Sequence, residues 1–268
     1  MEKEPILSLR NNGLKGRVVI IASQHSGKCI PAELAQTFLV EEAAVYVTDI
    51  NPEILRLVED EVEKYLGVRI ATYPLDFSKP GEIHRFIQEV KEKEGRIDVL
   101  VTDFGLLEFI PHLKPFHLQT KDEWKRQFRY IVEDLFVWTK AIIPEMIEHK
   151  FGRIIHITSE ASRVGTPFMS VYGAAKAAVA GLTRSLAVEL AKHNITANCV
   201  SLGIQKILDR NERSKPAIQK LEKILKLVPL RRFGEPEEIS FMVAFLASDL
   251  GGYITGQNIS VAGGMVMI

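Results

Sequence analysis

The chain has no surplus of either charge, almost no cysteine and no long apolar run. Lysine and arginine number 34 and aspartate and glutamate 34, so the net charge is zero. A neutral surface offers no electrostatic footprint for nucleic acid or for an anionic membrane, and neither partner is expected. The two cysteines, Cys29 and Cys199, cannot make a disulfide framework or a metal cluster. His112 and His117 do not stand at metal-ligand spacing with either, so no metal is assigned. No segment reaches the about 18 uninterrupted apolar residues of a membrane span. MEKEPILSLRNNG has no signal-peptide core, so a cytoplasmic location is expected. Glycine is scarce where it would be most useful. VVIIASQHSGKC (18–29) has the shape of a buried strand entering a phosphate-binding turn, yet it holds one glycine, Gly27.

What the chain does have is regular alternation. Short β-branched runs at 18–23, 44–50, 69–76, 97–103, 152–159, 195–203 and 258–264 read as strands. Helical patterns fall between them at 31–43, 52–66, 82–95, 121–149 and 171–193. The strands are apolar on both faces, as in a parallel sheet covered on both sides. The expected fold is therefore α/β: one Rossmann-type, doubly wound parallel sheet of about seven strands, with residues 1–268 as a single domain. Ligands of such sheets bind beyond the carboxyl ends of the strands. Ser23, Asp49, Asp76, Asp103, Ser159 and Gly203 fall on that edge.

Tyr172 and Lys176 stand four apart in VYGAAKAAVAGL, on one helical face. A phenol of pKa near ~10 moves protons poorly at neutral pH, and a neighbouring ammonium draws it toward the working range. Thirteen residues before Tyr172, Ser159 closes the strand GRIIHITS, where its hydroxyl can reach the same space. A Ser–Tyr–Lys set suits reduction of a carbonyl or oxidation of an alcohol.

With these motifs in place, the chain resembles the short-chain dehydrogenase/reductase family over nearly its whole length. LKGRVVII resembles the family's opening strand, GRIIHITS…VYGAAKAAVAGLTRSLAVELA its serine and tyrosine block, and ITANCVSLG its sixth strand. PLRRFGEPEEISFMVAFLASDLGGYITGQNISVAGG resembles its C-terminal block. The resemblance implies that Ser159 orients the substrate oxygen, Tyr172 is the acid/base, and Lys176 tunes it and holds the nicotinamide ribose. It places Ser23, Gly27, Asp49, Asp76, Phe77, Gly105 and Gly203 against the cofactor. Asp49 would accept from the adenosine ribose and repel a 2′-phosphate, so NAD is expected over NADP.

The resemblance fails in places. Ile21-Ala22 replaces Thr-Gly at a glycine turn that reads as longer than usual. Thr102-Asp103-Phe104-Gly105 replaces Asn-Asn-Ala-Gly, with Phe104 adding bulk beside the cofactor. Ile131 stands where the family keeps a relay asparagine, and Leu202 and Ala262 replace a proline and an aspartate. Halohydrin dehalogenases carry Arg where Lys176 stands, and enoyl reductases space their Tyr and Lys wider than four, so neither matches. Two readings stay open: an NAD(H) oxidoreductase for a hydroxyl or ketone substrate, or a non-catalytic subunit, without cofactor, that supports an active paralogue in a hetero-oligomer. The family pairs through helices at the place of 121–149 and 171–193, usually as tetramers, which implies a homotetramer or that hetero-oligomer. The segment 204–226 takes the place of a substrate lid and carries seven basic against three acidic residues. Such a lid would favour an anionic or acyl-thioester-linked substrate, unless it is only a solvated amphipathic face. The insert 106–124 would wall the other side of the cavity.

Overall fold

The computed structural model describes residues 12–24, 29–105, 113–206 and 225–268. Its strands are β1 (Val18–Gln24), β2 (Ala44–Asp49), β3 (Ala71–Pro74), β4 (Val99–Phe104), β5 (Gly152–Ser159), β6 (Ile195–Leu202) and β7 (Asn258–Val261). They form one seven-stranded sheet, in the order β3-β2-β1-β4-β5-β6-β7, parallel throughout. The helices are α1 (Cys29–Val40), α2 (Pro52–Leu66), α3 (Pro80–Glu94), α4 (Lys121–Phe128), α5 (Asp134–His149), α6 (Ser170–Leu190) and α7 (Pro236–Ala247). Strand order reverses between β1 and β4, which makes the crevice at their carboxyl ends the natural binding place.

Two apolar layers hold the sheet. One packs α3, α5 and α6 through Phe86, Trp138, Ala175 and Val179. The other packs α1, α2 and α7 through Phe38, Val58 and Val243. Local chemistry sets the helix ends. Asn51 caps α2, its side chain accepting from Glu53 N–H, and Pro52 follows at the first turn. Gly67 and Gly95 end α2 and α3 with left-handed φ of 68° and 75°.

Several boundaries differ from those read in the sequence. The last strand stops at Val261 because Gly263 and Gly264 turn left-handed, at φ of 59° and 82°. Helix α6 stops at Leu190, and 191–193 tighten into one 3₁₀ turn before Asn194 at φ 60°. The helix read over 121–149 does begin at Lys121, with a capping box between Thr120 and Glu123, but a π-helical turn at Arg129–Glu133 divides it into α4 and α5. β1 ends at Gln24 and α1 begins at Cys29, and the turn expected to be long lies between them, outside the described residues. Gly27 and most of 204–226 lie outside the described residues.

Candidate active site

The crevice between β1 and β4 is lined by acids. Asp49, at the end of β2, is 1% exposed. Its Oδ1 accepts from Asn51 N–H at 2.8 Å and so caps the turn into α2, whereas Oδ2 has no hydrogen-bond partner. Burial pushes its pKa up to about 6, and the charge of Asp103 adds to the shift. The Ser23 hydroxyl sits close enough to offset part of it, without completing a hydrogen bond of its own. Asp103 lies beside Ser23 across the β1–β4 register and is buried.

A third acid was not anticipated. Asp134 opens α5 and is buried, with the Gln24 side chain at the end of β1 near enough to oppose the rise of its pKa. Burial raises its pKa to about 6; Arg129 opposes the shift, while Glu133 and Asp76 add to it. The signal was present in DLFVWTKAII: Asp134 and Trp138 stand four apart, so an acid shares the face of a core tryptophan.

Two side chains take other places than expected. The Phe77 ring is 1% exposed and packs at 5.5 Å on Phe104 and at 5.4 Å on Trp138, so the side chain belongs to the core. Phe104 turns into the same cluster, and its bulk therefore fills the core and not the crevice. Both rings gain more by leaving water than they would at a polar edge. Asp76 caps the turn before α3, its Oδ1 accepting from Ser78 N–H at 3.0 Å and Ser78 Oγ at 2.6 Å. Gly105 donates its N–H to Gln24 O at 2.7 Å, tying β4 to β1. Gly203 allows β6 and β7 to close together, since a Cβ there would meet Ala262 at 2.8 Å.

The residues expected to transfer the proton sit beyond β4 and β5. Lys176 reaches down from α6, 2% exposed, and its Nζ donates to Phe104 O at 2.7 Å and Ile157 O at 2.8 Å. Burial lowers its pKa to about 8, against the opposing charge of Asp103. Nζ stands 5.8 Å from the centre of the Tyr172 ring. Tyr172 is buried, which raises its phenol well above the ordinary value; a Ser159 hydrogen bond opposes the rise and Asp103 adds to it. Thus Ser159, Tyr172 and Lys176 do converge, but burial overrides the expected downward pull of the ammonium. Ser159 Oγ also accepts from Ala161 N–H at 3.2 Å, so it caps the next turn as well. Gly173 lets α6 approach that turn, because a Cβ would meet Ala161 O at 2.6 Å. Ile131 lies fully buried in a π-helical turn between α4 and α5 and brings no polar side-chain atom to the site.

Beside Tyr172 runs a groove walled by Leu113, Gln119, Phe168 and Val171, with Glu123 and Arg126 at its edge. The described part of the 106–124 insert therefore does reach the Tyr172 side. The flanks of the 204–226 segment, Ile204 and Gln205, wall a cavity of ≈ 280 Å³ with Val228, Leu230, Phe233 and Met242.

Comparison with known proteins agrees with this architecture. The family model described as enoyl-(acyl carrier protein) reductase matches residues 21–266. FabG of Thermotoga maritima, a 3-oxoacyl-(acyl-carrier-protein) reductase, is 32% identical over 256 residues, covering 95% of this chain and 99% of its own. The oxidoreductase UcpA of Escherichia coli is 33% identical over 262 residues, covering 95% and 96%. Among solved structures, NAD⁺-bound xylitol dehydrogenase superposes with a TM-score of 0.79 at 28% identity, over 94% of this chain and 99% of that one. Levodione reductase gives 0.82 at 25%, over 93% and 97%. The chain belongs to the short-chain dehydrogenase/reductase family.

Proposed function

We propose that the protein is an oxidoreductase that exchanges a hydride between NAD(H) and a ketone or secondary alcohol. The observation that carries this is the convergence of buried Lys176, Tyr172 and Ser159 beside a crevice whose far wall is Asp49. The crevice fits the two ribose ends of a dinucleotide. Asp49 Oδ2 and Ser23 Oγ are buried without partners, as acceptors for adenosine ribose hydroxyls would be. The ionised carboxylate favours NAD over NADP, by repulsion of a 2′-phosphate. Lys176 would hold the other ribose. When bound, the reduced nicotinamide supplies the hydride.

The residues then divide the proton work. Ser159 Oγ donates to the carbonyl oxygen and orients it. Tyr172 stays protonated at neutral pH, because its pKa is raised, and gives its proton to the oxygen as charge develops there. The Lys176 cation, fixed by two backbone carbonyls, stabilises the phenolate that remains. Leu113, Phe168 and Val171 give an apolar wall to the groove beside Tyr172. The exposed Phe136 on α5 and Val188 on α6 support pairing of copies through these two helices. The test is turnover across a panel of ketones and 3-oxoacyl thioesters, followed at the NADH absorbance. Tyr172→Phe should cost at least about a hundredfold in kcat with NADH affinity kept; unchanged turnover would overturn the assignment.

The second reading, a non-catalytic subunit, draws on Ile131 and on the three buried acids Asp49, Asp103 and Asp134, which oppose an anionic ligand. It is favoured if neither NADH nor NADPH binds and a paralogous chain co-purifies from native extract.

A further inference from the structure

His156 is a buried group that the proton-transfer scheme above does not use. It is 0% exposed, in the middle of β5, and faces the layer below α6. Its Nδ1 lies 2.8 Å from Thr102 Oγ1 on the neighbouring β4, in direct register. Its Nε2 has no hydrogen-bond partner. Buried imidazole nitrogens are rarely left so, and each such case calls for an explanation.

The explanation lies above it. Lys176 Nζ carries three N–H donors. Phe104 O and Ile157 O take two, from strands β4 and β5, the two strands that carry Thr102 and His156. The third has no described partner. The ammonium thus hangs from α6 onto the ends of β4 and β5, the strands whose Thr102–His156 pair lies just before its two carbonyl partners, and its charge acts on the imidazole. Cys199, next across the register from His156, is already committed: its Sγ donates to Thr183 Oγ1 at 3.1 Å. Ile131 supplies nothing polar from the side of α4 and α5.

We propose that His156 is a positioning residue for Lys176: its Nε2 lone pair, through one internal water, accepts the third N–H of the ammonium. This rests on the reading of Lys176 as part of the proton-transfer set. It adds a third anchor to the two backbone carbonyls that already hold the lysine. The arrangement requires the tautomer with Nδ1–H donating to Thr102 Oγ1, so that the lone pair faces the cation. His156 stays neutral throughout the working range, since burial and the lysine charge lower its pKa to about 3. The other groups that bear on Lys176 are Asp103 from β4, Cys199 from β6 and Tyr172 on its own helix.

The tautomer of wild-type His156 is read first, by long-range ¹H–¹⁵N correlation; Nδ1–H is expected, and Nε2–H overturns the proposal without any variant. Titration of the Lys176 ε-carbon by ¹³C NMR, assigned with Lys176→Met, follows in three variants. In Gln, the terminal amide stands near Nε2; in Asn it stands near Nδ1; Leu has neither. His156→Leu and His156→Asn should lower the Lys176 midpoint by about one pH unit, and His156→Gln should restore it. The alkaline limb of kcat/KM should move with it. Equal behaviour of Asn and Gln, or no movement in Leu, means that His156 only fills space. NADH calorimetry on the same proteins keeps the two questions separate. If wild type binds no dinucleotide, the functional reading fails while the lysine titration still decides this proposal.

Discussion

Replacing Asp49 by Asn should make the protein more stable at neutral pH, and the reason is quantitative. The carboxylate is held with a pKa of about 6 against an ordinary 3.8, chiefly because burial disfavours its charge. At about 1.4 kcal/mol per pH unit, keeping it ionised costs about 3 kcal/mol at most. Asn keeps the Oδ1 acceptor for Asn51 N–H but sets two N–H donors where Oδ2 stood. Part of the gain is thereby lost, and about 1–2 kcal/mol should remain. The sign with pH follows from proton uptake. Between about pH 4 and 6 the native carboxyl binds a proton that the unfolded one does not, so acidification stabilises wild type. The advantage of Asp49→Asn should therefore be full above about pH 6, fade between about pH 6 and 4, and be gone below about pH 4. Urea unfolding of both proteins at pH 8 and pH 4 reads this directly. An advantage that is the same at both pH values would refute the view that Asp49 carries a strained buried charge.

The remaining predictions concern packing and assembly. Gly173→Ala places a methyl against Ala161 O, a backbone atom that cannot swing aside, and should cost about 1–3 kcal/mol, seen as a fall in Tm. An unchanged Tm would show that α6 and the Ser159 turn are not packed so closely. Joining Phe136→Glu to Val188→Glu should split the oligomer, read by light scattering after gel filtration. An unaltered mass would remove α5 and α6 from the interface.

The fold was legible because strands buried on both faces read as plain apolar runs, and helices with Pro starts and Gly ends punctuate themselves. The Ser159–Tyr172–Lys176 cluster was legible for a similar reason, since four residues on a helix fix a shared face. What could not be read was side-chain direction at strand ends. Phe104 looked like an obstruction, but the pleat sends it to the layer of Trp138 and leaves only its carbonyl at the site. Phe77 follows it there. Asp134 and Gln24 meet only because α5 crosses the end of β1, a contact that no local pattern encodes. The same holds for His156: in GRIIHITS it is one polar residue in a strand, and its neighbours come from β4 and α6.

The most direct test of the central claim is calorimetric titration of the purified protein with NADH and then with NADPH, repeated in Asp49→Ala. The account predicts micromolar NADH binding, weaker NADPH binding, and loss of that preference together with NADH affinity in the variant. Absence of binding by both dinucleotides would contradict it, and the crevice between β1 and β4 would then belong to a subunit that does no redox chemistry.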